Sequence, residues 1–279
     1  MGCAKQTLQL LVCTVAALLV ATAQAATTER VSIAADGTEA NQGAGACAIS
    51  ADGRLVAFAS TSDNLVSGDT KGWWDVFLRD VSRGTTWRIS VTSGNPGTEV
   101  DGPSGRSAIA VTGSGDSRTI RVYFESDAYD LVSSDSQDGY TDVFVREIVG
   151  TTTLSCNTYL ITKKDSSYLP ANGPSFLGGA AIADPLYVAF FSWATDLTSG
   201  TAPDSTIPHA YFRKRSNSTN YRASVSNADP PVDGDRGSIY PAIALNGSEV
   251  LVAFSSHAEK LIGQGQDTNQ TVDVYLRRE

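Results

Sequence analysis

Short apolar segments separated by polar turns recur along the chain at a nearly constant interval. The most compact of them is Val56-Ala57-Phe58, and similar triplets end at Phe124, Phe190 and Phe254. The four phenylalanines are separated by 66, 66 and 64 residues. A steady period of this length indicates one supersecondary unit, copied and stacked so that the copies bury each other's faces.

The first repeat predicts four short strands, at residues 46–50, 55–59, 75–79 and 85–91. The second is apolar throughout, the third alternates, and the fourth is rich in Thr, Trp, Ile and Val, as strands are. Asp52-Gly53 predicts a tight turn between the first two strands. No window after residue 25 shows a helical period, so each repeat is expected to form one antiparallel sheet.

The other repeats carry the same strands with some drift. The third strand, Asp75 to Arg79, recurs at 142–146 and 273–277, and at 209–213 with His209 in place of the aspartate. The fourth strand recurs at 222–225 and more weakly at 153–156, an alignment that places Cys156 at the position of Val91. The arginine that ends the third strand recurs in all four repeats, and we interpret it as pairing with nearby aspartates or covering aromatic surface.

These repeats predict an all-β fold, a β-propeller of four blades with four antiparallel strands each, within residues 26–279. The approximate repeats are 28–91, 92–156, 157–225 and 226–279. The segment Arg30 to Ile33 matches a fourth strand, and the last repeat lacks one. We therefore expect the N-terminal strand to close the ring. An open array, or half of a larger ring completed by a second chain, is the alternative.

Residues 1–25 have the pattern of a secretory signal peptide. A positive start is followed by an apolar stretch from Leu8 to Val20 and by the small residues Ala23 and Ala25 before a cleavage site. The sequence therefore predicts an exported protein, periplasmic or extracellular, without stable membrane insertion after cleavage. The net charge of −9 argues against a nucleic acid as partner. Cys47 and Cys156 are expected to remain free thiols.

The segment from Ser50 through Asp52-Gly53 to Ser60 resembles the repeat signature of TolB-like β-propellers. The longer unit, from Arg30 to Phe77, is similar to long-repeat members found in exported bacterial proteins. The resemblance spans nearly the whole chain after residue 25, although only the first repeat matches it well. It implies a propeller that serves as a binding scaffold.

Acidic loops before the third strands are the candidate metal site. Asp69 precedes Asp75 by six residues, and the same spacing separates two aspartates in the last repeat. Clustered carboxylates with Asn and Gly suit Ca²⁺, although the same residues also favour turns for conformational reasons alone. The candidate ligands are Asp69, Asp75, Asp135, Asp138, Asp142, Asp267 and Asp273.

Signals for catalysis are weak, since no hydrolase, zinc or phosphate-binding motif is present. Our first expectation is therefore a non-catalytic binding scaffold that presents a protein or glycan site on its loops, where Trp73 and Trp74 either stack on a ligand or pack between blades. One alternative is a hydrolase or lyase with carboxylates or His257 near the propeller axis. The other is a calcium-stabilised structural module.

Overall fold

The fold is described from a computed structural model that covers residues 26–94, 96–135, 139–150, 155–165, 167–184, 186–228, 230–263 and 266–279. The predicted signal peptide, residues 1–25, lies outside the described residues. Residues 26–30 are exposed and form neither helix nor strand. Within the described ranges, no helix is both long and apolar enough to cross a bilayer.

The strands form four antiparallel sheets, which confirms the all-β propeller predicted from the repeats. Three sheets have four strands, and the fourth has three. Each sheet is one blade, and its strands follow one another in chain order. Blade 1 contains β1 (Ala44–Ile49), β2 (Leu55–Ser60), β3 (Asp75–Asp80) and β4 (Thr85–Arg88); blade 2 contains β5 (Ser104–Thr112), β6 (Thr119–Ser126), β7 (Asp142–Val149) and β8 (Ser155–Leu160); blade 3 contains β9 (Ser175–Asp184), β10 (Tyr187–Ser192), β11 (His209–Lys214) and β12 (Thr219–Arg222); and blade 4 contains β13 (Ser238–Asn246), β14 (Glu249–Ser256) and β15 (Asp273–Arg278).

Apolar side chains fill the spaces between successive blades. One cluster joins blade 1 to blade 2 through Val76, Leu78 and Phe144, and similar clusters join blade 2 to blade 3 and blade 3 to blade 4. Both faces of blades 2 and 3 are thereby covered, which is why β6 and β10 are apolar on both sides. At positions equivalent to Val76 and Leu78, blade 4 instead leaves Val274 76% and Leu276 54% exposed.

The repeated arginines connect each blade to the segment before it. Nη1 of Arg146 donates to the carbonyl oxygens of Val91 and Thr92, at 3.3 and 2.7 Å. The equivalent groups of Arg79, Arg213 and Arg277 donate to Ala34, Lys163 and Ser226. The acceptors are main-chain oxygens of the segment that precedes each blade. Our expectation that these arginines pair with aspartates or cover aromatic surface is therefore replaced by a contact between a blade and the segment before it.

The N-terminal segment occupies only part of the position that was predicted for it. The carbonyl oxygen of Ile33 accepts a hydrogen bond from Thr86 of blade 1, as Val91 accepts one from Thr158 of blade 2. The segment thus lies where the end of a preceding fourth strand would lie. The fourth sheet nevertheless ends at β15, and Ile33 forms only an isolated bridge with Glu39. A strand ladder between residues 30–33 and β15 is not present among the described residues.

The second repeat differs from its predicted alignment. The position equivalent to Val91 is Lys163, because both residues form the same isolated bridge with the following segment. Cys156 lies seven residues earlier, near the start of β8, where it pairs with Ile148. The β7–β8 hairpin is longer than the β3–β4 hairpin, and this insertion displaces the alignment. Cys156 is a buried free thiol, and Cys47 is an exposed one.

Candidate functional site

The fold brings two of the predicted metal ligands together in blade 1. Asp75 is the first residue of β3, and Asp69 lies in the loop before it. Glu99, which follows the fourth strand, places a carboxylate oxygen within 4.8 Å of oxygens of both aspartates. Nη1 of Arg88 lies 3.2 Å from Asp69, 3.8 Å from Asp75 and 3.1 Å from Glu99. We call these four residues the Arg88 cluster.

Burial and hydrogen bonding set the protonation of the Arg88 cluster. Burial raises the pKa of Asp75 to about 6, against the opposing effects of the Ser90 hydroxyl and Arg88. Burial also raises the pKa of Asp69. Glu99 accepts hydrogen bonds from the Thr70 amide and hydroxyl and from the Lys71 amide, at 2.8, 2.7 and 3.1 Å. These bonds outweigh burial and lower the pKa of Glu99 to about 2.

The Arg88 cluster recurs in part in the other blades. Arg222 of blade 3 pairs with Asp233 at 2.9 Å, eleven residues later, as Arg88 pairs with Glu99 eleven residues later. His209 stands at the position of Asp75, and its two ring nitrogens are buried without a hydrogen bond among the described residues. In blade 2, Leu160 and Pro170 replace the arginine and the acid together. In this blade, apolar residues replace both partners of the ion pair together. We therefore interpret the Arg88 cluster as structural.

The remaining predicted metal ligands are dispersed. Asp142 accepts a hydrogen bond from the Thr162 hydroxyl at 2.5 Å, and Asp267 caps the amides of Asn269 and Gln270 at 3.2 and 3.3 Å. Asp273 begins β15, and Asp135 lies in the loop before β7. Asp138 lies outside the described residues. Arg88 already supplies positive charge to the group of Asp69, Asp75 and Glu99. Binding of Ca²⁺ stays a prediction.

A second group of functional side chains lies beside the first strands of blades 2 and 3, β5 and β9. A pocket of about 300 Å³ opens there. It contains two carboxylates, Glu125 and Asp127, and two aromatic side chains, Trp74 and Phe176. We call it the axial pocket. Its other lining residues are Pro103, Ser104, Gly105, Ser126 and Thr141.

β-bulges bring two further side chains towards the axial pocket. β5 has one more residue than β6 between the pairs Ser104–Ser126 and Ser107–Phe124, and Arg106 lies within that bulge. β13 has the same irregularity, with Tyr240 at the equivalent position and a φ of 52°. Bulges redirect side chains, and a left-handed tyrosine is uncommon. The Arg106 guanidinium lies 6.0 Å from the centre of the Tyr240 ring.

Burial favours the protonated form of Glu125, one of the two carboxylates of the axial pocket. Its Oε1 accepts a hydrogen bond from the Leu177 amide at 2.8 Å and lies 3.8 Å from Nε of Arg106. Both contacts favour the charged form. Burial outweighs them and, with the nearby Asp127, raises the pKa of Glu125 above its ordinary value. Asp127 is exposed and accepts a hydrogen bond from the Thr141 hydroxyl at 2.6 Å.

The tryptophans and His257, which were candidate functional residues, lie in different environments. Trp74 lines the axial pocket, and Trp73 and Trp74 are each 45% exposed. Trp87 is partly buried and packs against the core between blades 1 and 2. His257 is exposed and does not line the axial pocket. No residue pattern in the sequence marks Glu125, Arg106 or Tyr240, because Arg106 and Tyr240 lie in β-bulges and Glu125 lies opposite the bulge of β5.

A second cavity of about 280 Å³ lies between blades 1 and 2, near their outer strands. Trp87, Ile148 and Cys156 form part of its wall, together with Arg88 and Arg146. Its described lining contains no aspartate or glutamate. It therefore offers no pair of carboxylates for acid–base chemistry, in contrast to the axial pocket.

No protein-family model matches the chain, and no curated protein matches it in sequence. Among solved structures, it is similar to the β-fructofuranosidase catalytic domain of Microbacterium saccharophilum K-1, with 10% sequence identity and a TM-score of 0.32. The match covers 85% of this chain and 62% of that domain, so the chain spans less than two thirds of the domain's length.

Our first functional expectation, a non-catalytic binding scaffold, does not agree with the matched structure, which is the catalytic domain of an enzyme. At this identity and TM-score, the similarity carries no argument about the activity of this chain. The chemistry of this chain must therefore be argued from its own residues.

Proposed function

We propose that the protein is a hydrolase that cleaves glycosidic bonds at the axial pocket. The observation that supports this proposal is the environment of Glu125, a carboxylate whose burial favours the protonated form in a pocket that also contains Asp127. Glycoside hydrolysis commonly uses two carboxyl groups with different roles, one of which donates a proton to the leaving oxygen. Trp74 and Phe176 offer aromatic faces for a sugar ring.

In this proposal Glu125 is the proton donor. It transfers its proton to the glycosidic oxygen as the bond between that oxygen and the anomeric carbon breaks, and one water molecule supplies the new hydroxyl and restores the proton. Asp127 is the second carboxylate, either activating this water or first bonding to the anomeric carbon. The Leu177 amide fixes the position of the Glu125 side chain.

Hydrolysis of nitrophenyl glycosides and polysaccharides by the purified protein tests this proposal. Removal of a general acid lowers rates by roughly 10²–10⁴-fold, and we expect a loss in that range for Glu125→Gln. Because the pKa of Glu125 is raised, wild-type activity should extend above the ordinary carboxyl range and fall once this group deprotonates. Glu249→Gln is the matched control, since Glu249 pairs with Arg278 in blade 4. Full activity in Glu125→Gln, or no turnover of any glycoside by the wild type, would contradict the proposal.

We also propose that the protein is an exported, TolB-like propeller. The support is the signature from Ser50 to Ser60, which recurs in weaker form, and the signal-peptide pattern of residues 1–25. An extracellular or periplasmic location suits the action of a hydrolase on glycans outside the cytoplasm. Both statements rest on sequence patterns.

A further inference from the structure

Arg106 differs from the other arginines of the propeller core. Arg88, Arg146 and Arg213 are buried and hydrogen-bonded to carboxylates, carbonyl oxygens or side-chain oxygens. The side chain of Arg106 is 48% exposed, and among the described residues it donates no hydrogen bond. Its contacts are Glu125 at 3.8 Å, beyond hydrogen-bond distance, and the Tyr240 ring.

The local structure holds this exposed guanidinium beside the axial pocket, next to the lining residues Gly105 and Glu125. The β5 bulge sets its position, and Gly105, the preceding residue, lines the pocket. Tyr240 packs against Phe191 with ring centres 5.6 Å apart, which supports the aromatic surface next to Arg106. Arg106 is therefore a positive group with its hydrogen-bond donors available at a site with aromatic walls.

The positive charge of Arg106 is not neutralised locally when Glu125 carries its proton. A planar guanidinium can donate two parallel hydrogen bonds to a carboxylate, a geometry that a neutral hydroxymethyl group does not match. A sugar ring against Trp74 and Phe176 is already part of the proposed function. A sugar that carries a carboxylate would use both features of the site.

We propose that the axial pocket selects saccharides that bear a carboxylate, such as uronates, and that Arg106 binds this carboxylate. The proposal rests on the proposed function for its substrate class, but binding can be measured without turnover. Arg106 then acts as a specificity-determining residue. Binding of the sugar carboxylate to Arg106 would also weaken the effect by which Arg106 lowers the pKa of Glu125. The protonated form of Glu125, the proton donor, would then be favoured.

Titration with methyl β-glucuronide and methyl β-glucoside, followed by NMR, tests this assignment. The two ligands differ only at C6, where a carboxylate replaces a hydroxymethyl group. We expect the glucuronide to bind about tenfold more tightly, which corresponds to about 1.4 kcal/mol. Acetate, which has the carboxylate without the ring, should bind more weakly than the glucuronide. Equal affinity for the two glycosides, or for acetate and the glucuronide, would overturn the proposal.

Variants of Arg106 provide the decisive comparison. Arg106→Gln should remove the preference for the glucuronide and leave binding of the glucoside unchanged, while Arg106→Lys should keep part of the preference. Arg54→Gln is the control, because Arg54 is an exposed arginine at the β1–β2 turn that bonds to Ser82. A preference that persists in Arg106→Gln would overturn the proposal. If Arg106→Gln loses the preference while Glu125→Gln keeps full hydrolytic activity, the hydrolase proposal alone fails.

Discussion

The Arg88 cluster and the axial pocket both contain carboxylates with shifted pKa values, but they relate differently to the repeat. The cluster is built from repeated positions, since Arg222 and Asp233 reproduce its central ion pair and Leu160 with Pro170 replace that pair. The axial pocket contains repeated serines, Ser104 and Ser126, but its carboxylate Glu125 departs from the repeat. Ala59, Phe191 and Ser255 occupy the positions equivalent to Glu125 in the other blades.

This difference separates residues that maintain the fold from residues that offer chemistry. A repeated position serves every blade, so its role is one that all blades share, such as the attachment of a loop to a strand. A residue present in one blade alone breaks the repeat symmetry. A substrate is itself asymmetric, so its site needs different side chains from different blades. Perturbed pKa values alone do not make this distinction, because structural ion pairs shift them too.

The largest expected effect is on stability and concerns Arg88. Arg88→Met leaves Asp69, Asp75 and Glu99 without their common cation, and breaking a buried ion pair costs about 3–5 kcal/mol. Urea unfolding at pH 7 measures this loss. Arg83→Met is the matched control, because Arg83 is exposed and pairs with Asp80 at 3.4 Å, and its loss should be below about 1 kcal/mol. Similar values for the two variants would show that the Arg88 cluster is not a buried structural element.

A second effect should appear in the pH dependence of stability. The unfolded chain releases the proton of Asp75 near its ordinary pKa of 3.8, whereas the folded protein retains it to about 6. Between these values the unfolded state binds fewer protons, so the free energy of unfolding falls as the pH rises, by about 3 kcal/mol for this group. In Asp75→Asn, the free energy of unfolding should therefore fall less between pH 4 and pH 7 than it does in the wild type.

Two other groups of the cluster affect the same experiment. The raised pKa of Asp69 acts in the same direction, and its contribution remains in Asp75→Asn. Glu99, with a pKa near 2, contributes stability above its ordinary pKa of 4.5 that is lost as the pH falls towards 2. Among the groups of the Arg88 cluster, mainly the aspartates therefore change the stability between pH 4 and 7, and Glu125, whose pKa is also raised, contributes equally to wild type and Asp75→Asn. An identical decrease in wild type and Asp75→Asn would contradict the assigned environment of Asp75.

The smallest expected effect concerns blade 3, where the repeated site is incomplete. His209 is buried, and neither ring nitrogen has a hydrogen bond among the described residues. An asparagine there can accept a hydrogen bond from Ser224, as Asp142 accepts one from Thr162. We expect His209→Asn to stabilise the protein by about 1 kcal/mol.

Thermal unfolding of four proteins checks this last prediction. They are the wild type, His209→Asn, Ser224→Ala and the double variant. If the gain comes from the new hydrogen bond, it should disappear when Ser224 is replaced. A gain that persists in the double variant, or a loss in His209→Asn itself, would contradict the explanation.

The architecture could be predicted from the sequence because burial follows the pattern of side chains along each strand. The spacing of Phe58 and its three counterparts gave the four blades, and the repeated third strand, which starts at Asp75, fixed its register. The N-terminal segment was predicted less well, since a matching sequence does not determine whether Val31 completes a ladder. The alignment of Cys156 failed because hairpin length is not visible in residue types.

The sites were harder to predict for two reasons. Asp69 and Asp75 were found from their spacing, but Glu99 and Arg88 were not, although the eleven-residue interval shared with Arg222 and Asp233 was a usable signal. The axial pocket had no such signal. Its side chains come from different blades, and two bulges set the positions of Arg106 and Tyr240.

The arginines that join each blade to the preceding segment have a consequence for how such a chain can change. Arg79, Arg146, Arg213 and Arg277 all bond to backbone oxygens, which every amino acid possesses. A unit that carries this arginine can therefore attach to almost any preceding sequence. Duplication, deletion or exchange of whole units would preserve the connection, leaving the side chains of each copy free to diverge towards new ligands.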